Sequence, residues 1–220
     1  MKHYFLFLIL ASLALSFTVA DKVQAHQPRY VQDNQLTVIK NPEISQAFYG
    51  ELKGRPAYYL IDLKEGRDLY FQILVPDLPS ITKDKTVTID YAPVLGQSAV
   101  NFAKIYPASA VWQNFYEEFA GDNYLEGPSV KKSGQPGYYF IKITSPDNSG
   151  KYVLVAGEKE EFPPLEIAKA LITIPQLKKD FFQEPLGQWF NGKIGKYFGL
   201  GFFVIIVVGY LFHKFRQVYK

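Results

Sequence analysis

The 220-residue chain has no cysteine, 16 tyrosines and 18 phenylalanines. Without a thiol it can form no disulfide, no Cys-ligated zinc site and no lipid attachment at cysteine. The net charge of +3 sits at the termini: residues 26–196 hold 19 Lys/Arg against 20 Asp/Glu, and a nearly neutral body gives nucleic acid no clustered cations to bind.

At the N-terminus, Lys2 precedes an apolar run over residues 4–19, and Val23-Gln24-Ala25 places small residues at the −3 and −1 positions of a cleavage site. Residues 1–25 read as a signal peptide cut after Ala25; a cut after Ala20 and a retained anchor are the alternatives. Export without cysteine, and without an Asn-x-Ser/Thr acceptor, points to a prokaryotic envelope.

Residues 26–160 read as one extracytoplasmic domain. Aromatic and β-branched residues alternate with period two over 36–40, 45–52, 57–63, 68–75, 85–91, 138–144 and 151–156. Lys64-Glu65-Gly66-Arg67 predicts a hairpin joining 57–63 to 68–75, and the Ser145–Gly150 turn cluster predicts another joining 138–144 to 151–156. Short strands without long intervening helices predict an all-β fold, an antiparallel β-sandwich. Between Pro93 and Pro136 the alternation fails, and a short strand or helical turn is expected around residues 111–119. Lys131-Lys132 and Lys178-Lys179 read as solvated pairs in turns.

The segments AYYLIDLKEGRDLYFQILV (57–75), PGYYFIKI (136–143) and GKYVLV (150–155) share an Asp68-x-Tyr70, Gly137-x-Tyr139, Gly150-x-Tyr152 rhythm. Over residues 44–158 this resembles the bacterial pre-peptidase C-terminal domain, from which the chain departs by its long central loop. The resemblance implies a jelly-roll-like sandwich and a binding role, not an activity.

Residues 161–192 read as a membrane-proximal, partly helical spacer lying on the sandwich or on the lipid surface. Leu165, Ile167, Ala168, Leu171, Ile172 and Ile174 fit one helix face, broken at Pro175 and again at Pro185. Residues 193–213 read as a single transmembrane helix. The apolar run 198–212 makes about 22 Å of helix, and a start at Ile194 extends it to about 28 Å against a core of about 30 Å, with Lys196 snorkelling. Trp189, Tyr197 and Tyr210 flank it as interfacial aromatics, and the basic tail 214–220 suits the cytoplasm.

The chemical candidates lie in the central loop. His26 at a mature N-terminus could begin a copper brace, but the remaining histidines are His3 and His213, so the three-nitrogen set cannot close within the exported part. Glycoside hydrolysis needs two facing carboxylates, for which Glu118 and Asp122 on a helical turn are the available pair. Asp122 and Glu126 with backbone carbonyls are the available Ca²⁺ ligands, although no Asp-x-Asp-x-Asp-Gly loop occurs. Otherwise neither cofactor nor metal is expected. Trp112, Tyr116 and Tyr124 beside Glu118, Asp122 and Glu126 form the candidate binding surface if their rings face solvent; the alternative is that they pin the loop to the core. The sequence thus predicts a single-pass, externally displayed binding module for a protein or glycan. A carboxylate hydrolase of the envelope and a structural subunit of a membrane complex are the alternatives.

Overall fold

The computed structural model describes residues 26–31, 35–107 and 111–218; the expected signal peptide lies outside them. Eleven strands form two sheets: β1 (Gln27–Tyr30), β2 (Thr37–Val38), β3 (Gln46–Lys53), β4 (Ala57–Leu63), β5 (Arg67–Pro76), β6 (Thr86–Ala92), β7 (Val100–Ile105), β8 (Gln113–Glu117), β9 (Asp122–Gly134), β10 (Gly137–Thr144) and β11 (Ser149–Ala156). One sheet has the order β1-β3-β11-β5-β9-β8 and the other β2-β4-β10-β6-β7. Inward-facing Tyr59, Ile61, Ile89, Tyr139 and Ile141 of the five-stranded sheet meet Phe48, Leu69, Phe71, Ile73 and Leu154 of the six-stranded sheet in the main core. The expected β-sandwich is present.

Its connectivity differs from the expected hairpins. β4 pairs with β2 and β10, whereas β5 pairs with β11 and β9. Likewise β10 pairs with β4 and β6, while β11 pairs with β3 and β5. Both expected hairpins are therefore arches that carry the chain from one sheet to the other. Alternation determines which face of a strand looks inward, not which neighbour receives its hydrogen bonds. At the second arch, Asn148 and Gly150 take φ values of 50° and 89°, and the Ser145 hydroxyl accepts from the Ser149 amide at 3.0 Å.

Nor is the sandwich antiparallel throughout: β1 runs parallel to β3 and β2 parallel to β4. Each arch reverses direction, so strands separated by two crossings return to one sheet pointing the same way. The central loop proves to be mostly sheet, holding β7, β8 and the 13-residue β9. β8 realises the strand expected near 111–119.

After the sandwich come α1 (Pro164–Gln176), a π-helical turn (Leu177–Phe181), a 3₁₀ segment (Leu186–Asn191) and α2 (Lys193–Val218). The break expected at Pro175 is present: Pro175 sits in the last turn of α1, which ends at Gln176, and the chain continues as the π turn. Leu177, Phe181 and Phe182 pack on Ala47, Tyr49, Leu74, Val153 and Val155, the outer face of the six-stranded sheet. This second layer explains why alternation vanishes in β11, whose residues 151–156 are all buried. α2 contains a 25-residue stretch, Lys193–Gln217, long and apolar enough to cross a membrane.

Candidate functional site

The hairpin β8–β9 ends in a tight turn at Glu118–Gly121 whose tip meets the start of α2. Helix N-termini leave amides without intrahelical acceptors. Here the carbonyls of Glu118 and Phe119 accept from the Lys193 and Ile194 amides at 2.9 and 3.2 Å. Gly121 has a φ of 78°, and a Cβ there would come within 2.8 Å of the Asn191 carbonyl carbon, so a side chain is excluded on two counts. Gly192 approaches the Ala120 backbone as closely, and Ala120, Ala170, Ile174 and Ile194 close the contact from α1 and α2. The sandwich therefore caps the apolar helix directly.

A buried polar cluster stands behind this turn. Glu117, 4% exposed, accepts from the Ala120 and Phe119 amides at 2.8 and 3.3 Å. Burial raises its pKa to about 8 against those hydrogen bonds. Lys178, fully buried in the π turn, pairs with Asp122, donates to the Gly121 carbonyl at 2.8 Å and lies 3.3 Å from Glu184. Asp122, 1% exposed, is pushed by burial to about 6 although the Lys178 charge opposes the shift. Tyr49 and Tyr124 share a hydroxyl hydrogen bond of 2.9 Å beside the cluster, and burial raises both phenols well above their ordinary range. Lys151 adds a second buried cation, donating to the Phe181 carbonyl.

The six residues singled out from the sequence do not form one surface. Trp112 is half-buried against the main core and donates to the Pro107 carbonyl at 3.2 Å. Tyr124, 2% exposed, is core and presents no ring to solvent. Tyr116 is 47% exposed, with its hydroxyl 3.4 Å from the Asn191 carbonyl. Glu118 is exposed and paired with Lys193. The carboxylates of Glu118 and Asp122 thus engage different lysines on opposite sides of a turn and face no common cleft. Glu126 accepts from Gln72 at 2.8 Å, and Asp122 is paired through Oδ1 with the Lys178 ammonium. Among the described residues, no group of three or more His, Asp or Glu side chains is arranged to hold a metal ion. His26 bonds Ser45, and burial lowers its pKa to about 4.

Lys178 escaped the sequence reading, which took Lys178-Lys179 for a solvated pair. Its position inside the apolar pattern Leu177-x-x-x-Phe181-Phe182 was the available signal: at helical spacing, one of the two lysines must share the buried face.

A groove opens at the other edge of the six-stranded sheet. Between β1, β2 and α1 it encloses about 810 Å³, with Phe48 and Ile44 among its lining residues. A neighbouring concavity of about 490 Å³, beside Tyr58 and Arg55, shares Val31, Gln35 and Leu36 with it. One wall is a hydrogen-bonded polar set: Arg29 pairs with Glu166 at 2.7 Å and donates to Gln27, while Lys169 reaches the same carboxylate at 2.7 Å. Burial tends to raise the Glu166 pKa, but the bonds from Lys169 and Arg29 prevail and hold it below the usual range. Tyr30, Leu36 and Val38 are exposed along this edge. β1 and β8 are opposite edges of the sheet, and α1 joins the two places: Glu166, Lys169 and Thr173 line the groove, while Ala170 and Ile174 close the helix cap.

No family model and no curated protein matches the chain. Among solved structures it is similar to the pre-peptidase C-terminal domain of collagenase from Bacillus anthracis, at 12% identity and a TM-score of 0.34, covering 57% of this chain and 97% of that one. The Yersinia pseudotuberculosis-derived mitogen is 12% identical with a TM-score of 0.35, covering 56% of this chain and 92% of that one. CorA, a surface-associated copper-binding protein of Methylomicrobium album BG8, is 8% identical with a TM-score of 0.26, covering 60% and 97%. Likenesses at this level carry no information about ligand or activity. The sandwich architecture rests on the strand pairing itself.

Proposed function

We propose that this chain is a single-pass membrane protein that displays its β-sandwich outside the cytoplasm, with the basic tail inside, as an interaction module for a protein or glycan. The observation that carries the reading is the division of labour across one sheet. The β8 edge caps the apolar helix, and the β1 edge opens into a groove with both a polar wall and exposed apolar side chains. Concave sites combining apolar lining with a few oriented polar groups are the usual form of a recognition surface. Capping α2 without an intervening linker holds the groove at a fixed attitude to the membrane, as a display role requires.

The absence of cysteine permits a direct test of topology. Ser149→Cys, on the sandwich surface, should react with an impermeant maleimide on intact spheroplasts, whereas Gln217→Cys should react only after lysis. Labelling of Gln217→Cys without lysis would overturn the orientation. The groove is tested by placing a photocrosslinking amino acid at Val38, against the same substitution at exposed Leu95 on the loop between β6 and β7. Adducts confined to Val38 are expected; equal adducts at both positions would remove the groove as the contact surface.

A further inference from the structure

We infer that the 3₁₀ segment Leu186–Asn191 is a foot that lies in the headgroup layer of the lipid bilayer and sets the tilt of the sandwich; this rests on the membrane-spanning role proposed for α2. Height along the helix supports this placement. The Trp189 ring lies 5.3 Å from the Phe198 ring, and the Phe190 ring packs against Gly199, where an added Cβ would meet it at 3.3 Å. Residues 198 and 199 open the apolar run and lie roughly 8 Å along the axis from the helix start at Lys193. The segment therefore runs down beside the first turns of α2 instead of standing above them. If the apolar run lies in hydrocarbon, Trp189 and Phe190 sit at its upper boundary.

The composition of the segment supports it as well. Leu186 and Phe190, four residues apart, are 59% and 50% exposed, and their apolar surface continues into exposed Phe198 and Leu200 on α2. Gln188, Asn191 and Lys196, also exposed, supply the polar side. Short segments with one apolar side lie in the plane of the boundary between hydrocarbon and water. Lipid is the occupant this patch fits, because its rings are continuous with those on the crossing helix. A second copy or another protein would have to displace lipid from α2 itself.

The two tryptophans provide the test. Trp112 lies at the far end of β8 from the hairpin tip, roughly 17 Å away along the strand. The full chain is reconstituted into phosphatidylcholine vesicles whose acyl chains carry bromine near the headgroup or near the terminal methyl. With Trp112→Phe, emission from Trp189 should fall with shallow bromine and less with deep bromine, as an interfacial depth requires. With Trp189→Phe, emission from Trp112 should not change. Leu186→Gln with Phe190→Gln should relieve the quenching of Trp189 while the chain stays vesicle-bound through α2. Vesicle-bound protein that resists alkaline extraction but shows no quenching of Trp189, or stronger quenching by deep bromine, overturns the foot and leaves the anchor standing. Release of the chain by alkali overturns both.

Discussion

Lys178→Met tests whether the buried cation holds the spacer on the sandwich. Methionine keeps the length and removes the charge, leaving the Asp122 carboxylate, whose Oδ2 already has no partner, to bury itself alone. With Lys178 present, burial has raised the Asp122 pKa from 3.8 to about 6. A raised carboxyl contributes most below its unfolded pKa, and its contribution is lost as pH rises through the folded value. In the variant that folded value climbs further, so the loss grows with pH. At pH 8 the buried group must take a proton, a further cost of about 3 kcal/mol relative to the parent chain. At pH 5 the parent already carries that proton, and the same cost falls below about 0.5 kcal/mol. The Gly121 carbonyl loses its donor at either pH, adding about 1 kcal/mol. Urea unfolding of the full chain in detergent should therefore show losses of about 4 kcal/mol at pH 8 and about 1 kcal/mol at pH 5, the former within the range for breaking a buried pair. Adding Asp122→Asn should recover most of the loss at pH 8. Equal losses at the two pH values would refute the assignment of Lys178 as the counter-ion.

Glu117, raised to about 8, should make the parent chain lose about 1.5 kcal/mol between pH 6.5 and 8, with the curve flattening above. The Asp122 transition lies below that window, and His26, about 4 when folded against 6.5 unfolded, adds only about 0.4 kcal/mol of stability across it, so the loss should vanish in Glu117→Gln; a persisting loss would assign it to another group. Tyr124→Ala should cost about 3–5 kcal/mol in the same measurement, whereas Tyr116→Ala should stay within about 0.5 kcal/mol.

The strands were legible because a half-buried strand writes its burial into every second residue: 57–63 and 138–144 match β4 and β10 nearly residue for residue. Their partners were not, since Gly66 or Gly150 can serve a hairpin or an arch equally. β1 was missed because Gln27-Pro28-Arg29-Tyr30 has no apolar alternation; its pairing with β3 and the polar wall hold it instead. The central loop was rightly marked as unusual but misread chemically. Tyr124 and Asp122 sit on the β9 face that the π turn covers, and nothing local in β9 records a cover arriving from more than 50 residues downstream. The residues 151–156 did carry that message, as an apolar run with no polar alternate between Tyr152 and Ala156.

The arches also bear on the order in which the molecule can assemble. Among the described strands, only β6–β7 and β8–β9 join neighbours in sequence within one sheet. β3, near the start, has its main partner in β11, the last strand to emerge, with Gln46 opposite Ala156. In the orientation proposed above, a chain threaded out N-terminus first would hold many unsatisfied strands until residue 156 has crossed, and such distant pairing is slow. By then the π turn and the start of α2 follow closely behind. Completion of the sandwich and arrest of the proposed membrane helix would then be nearly one event, and the surface of β11 that waits for Phe181 and Phe182 would be left bare only briefly.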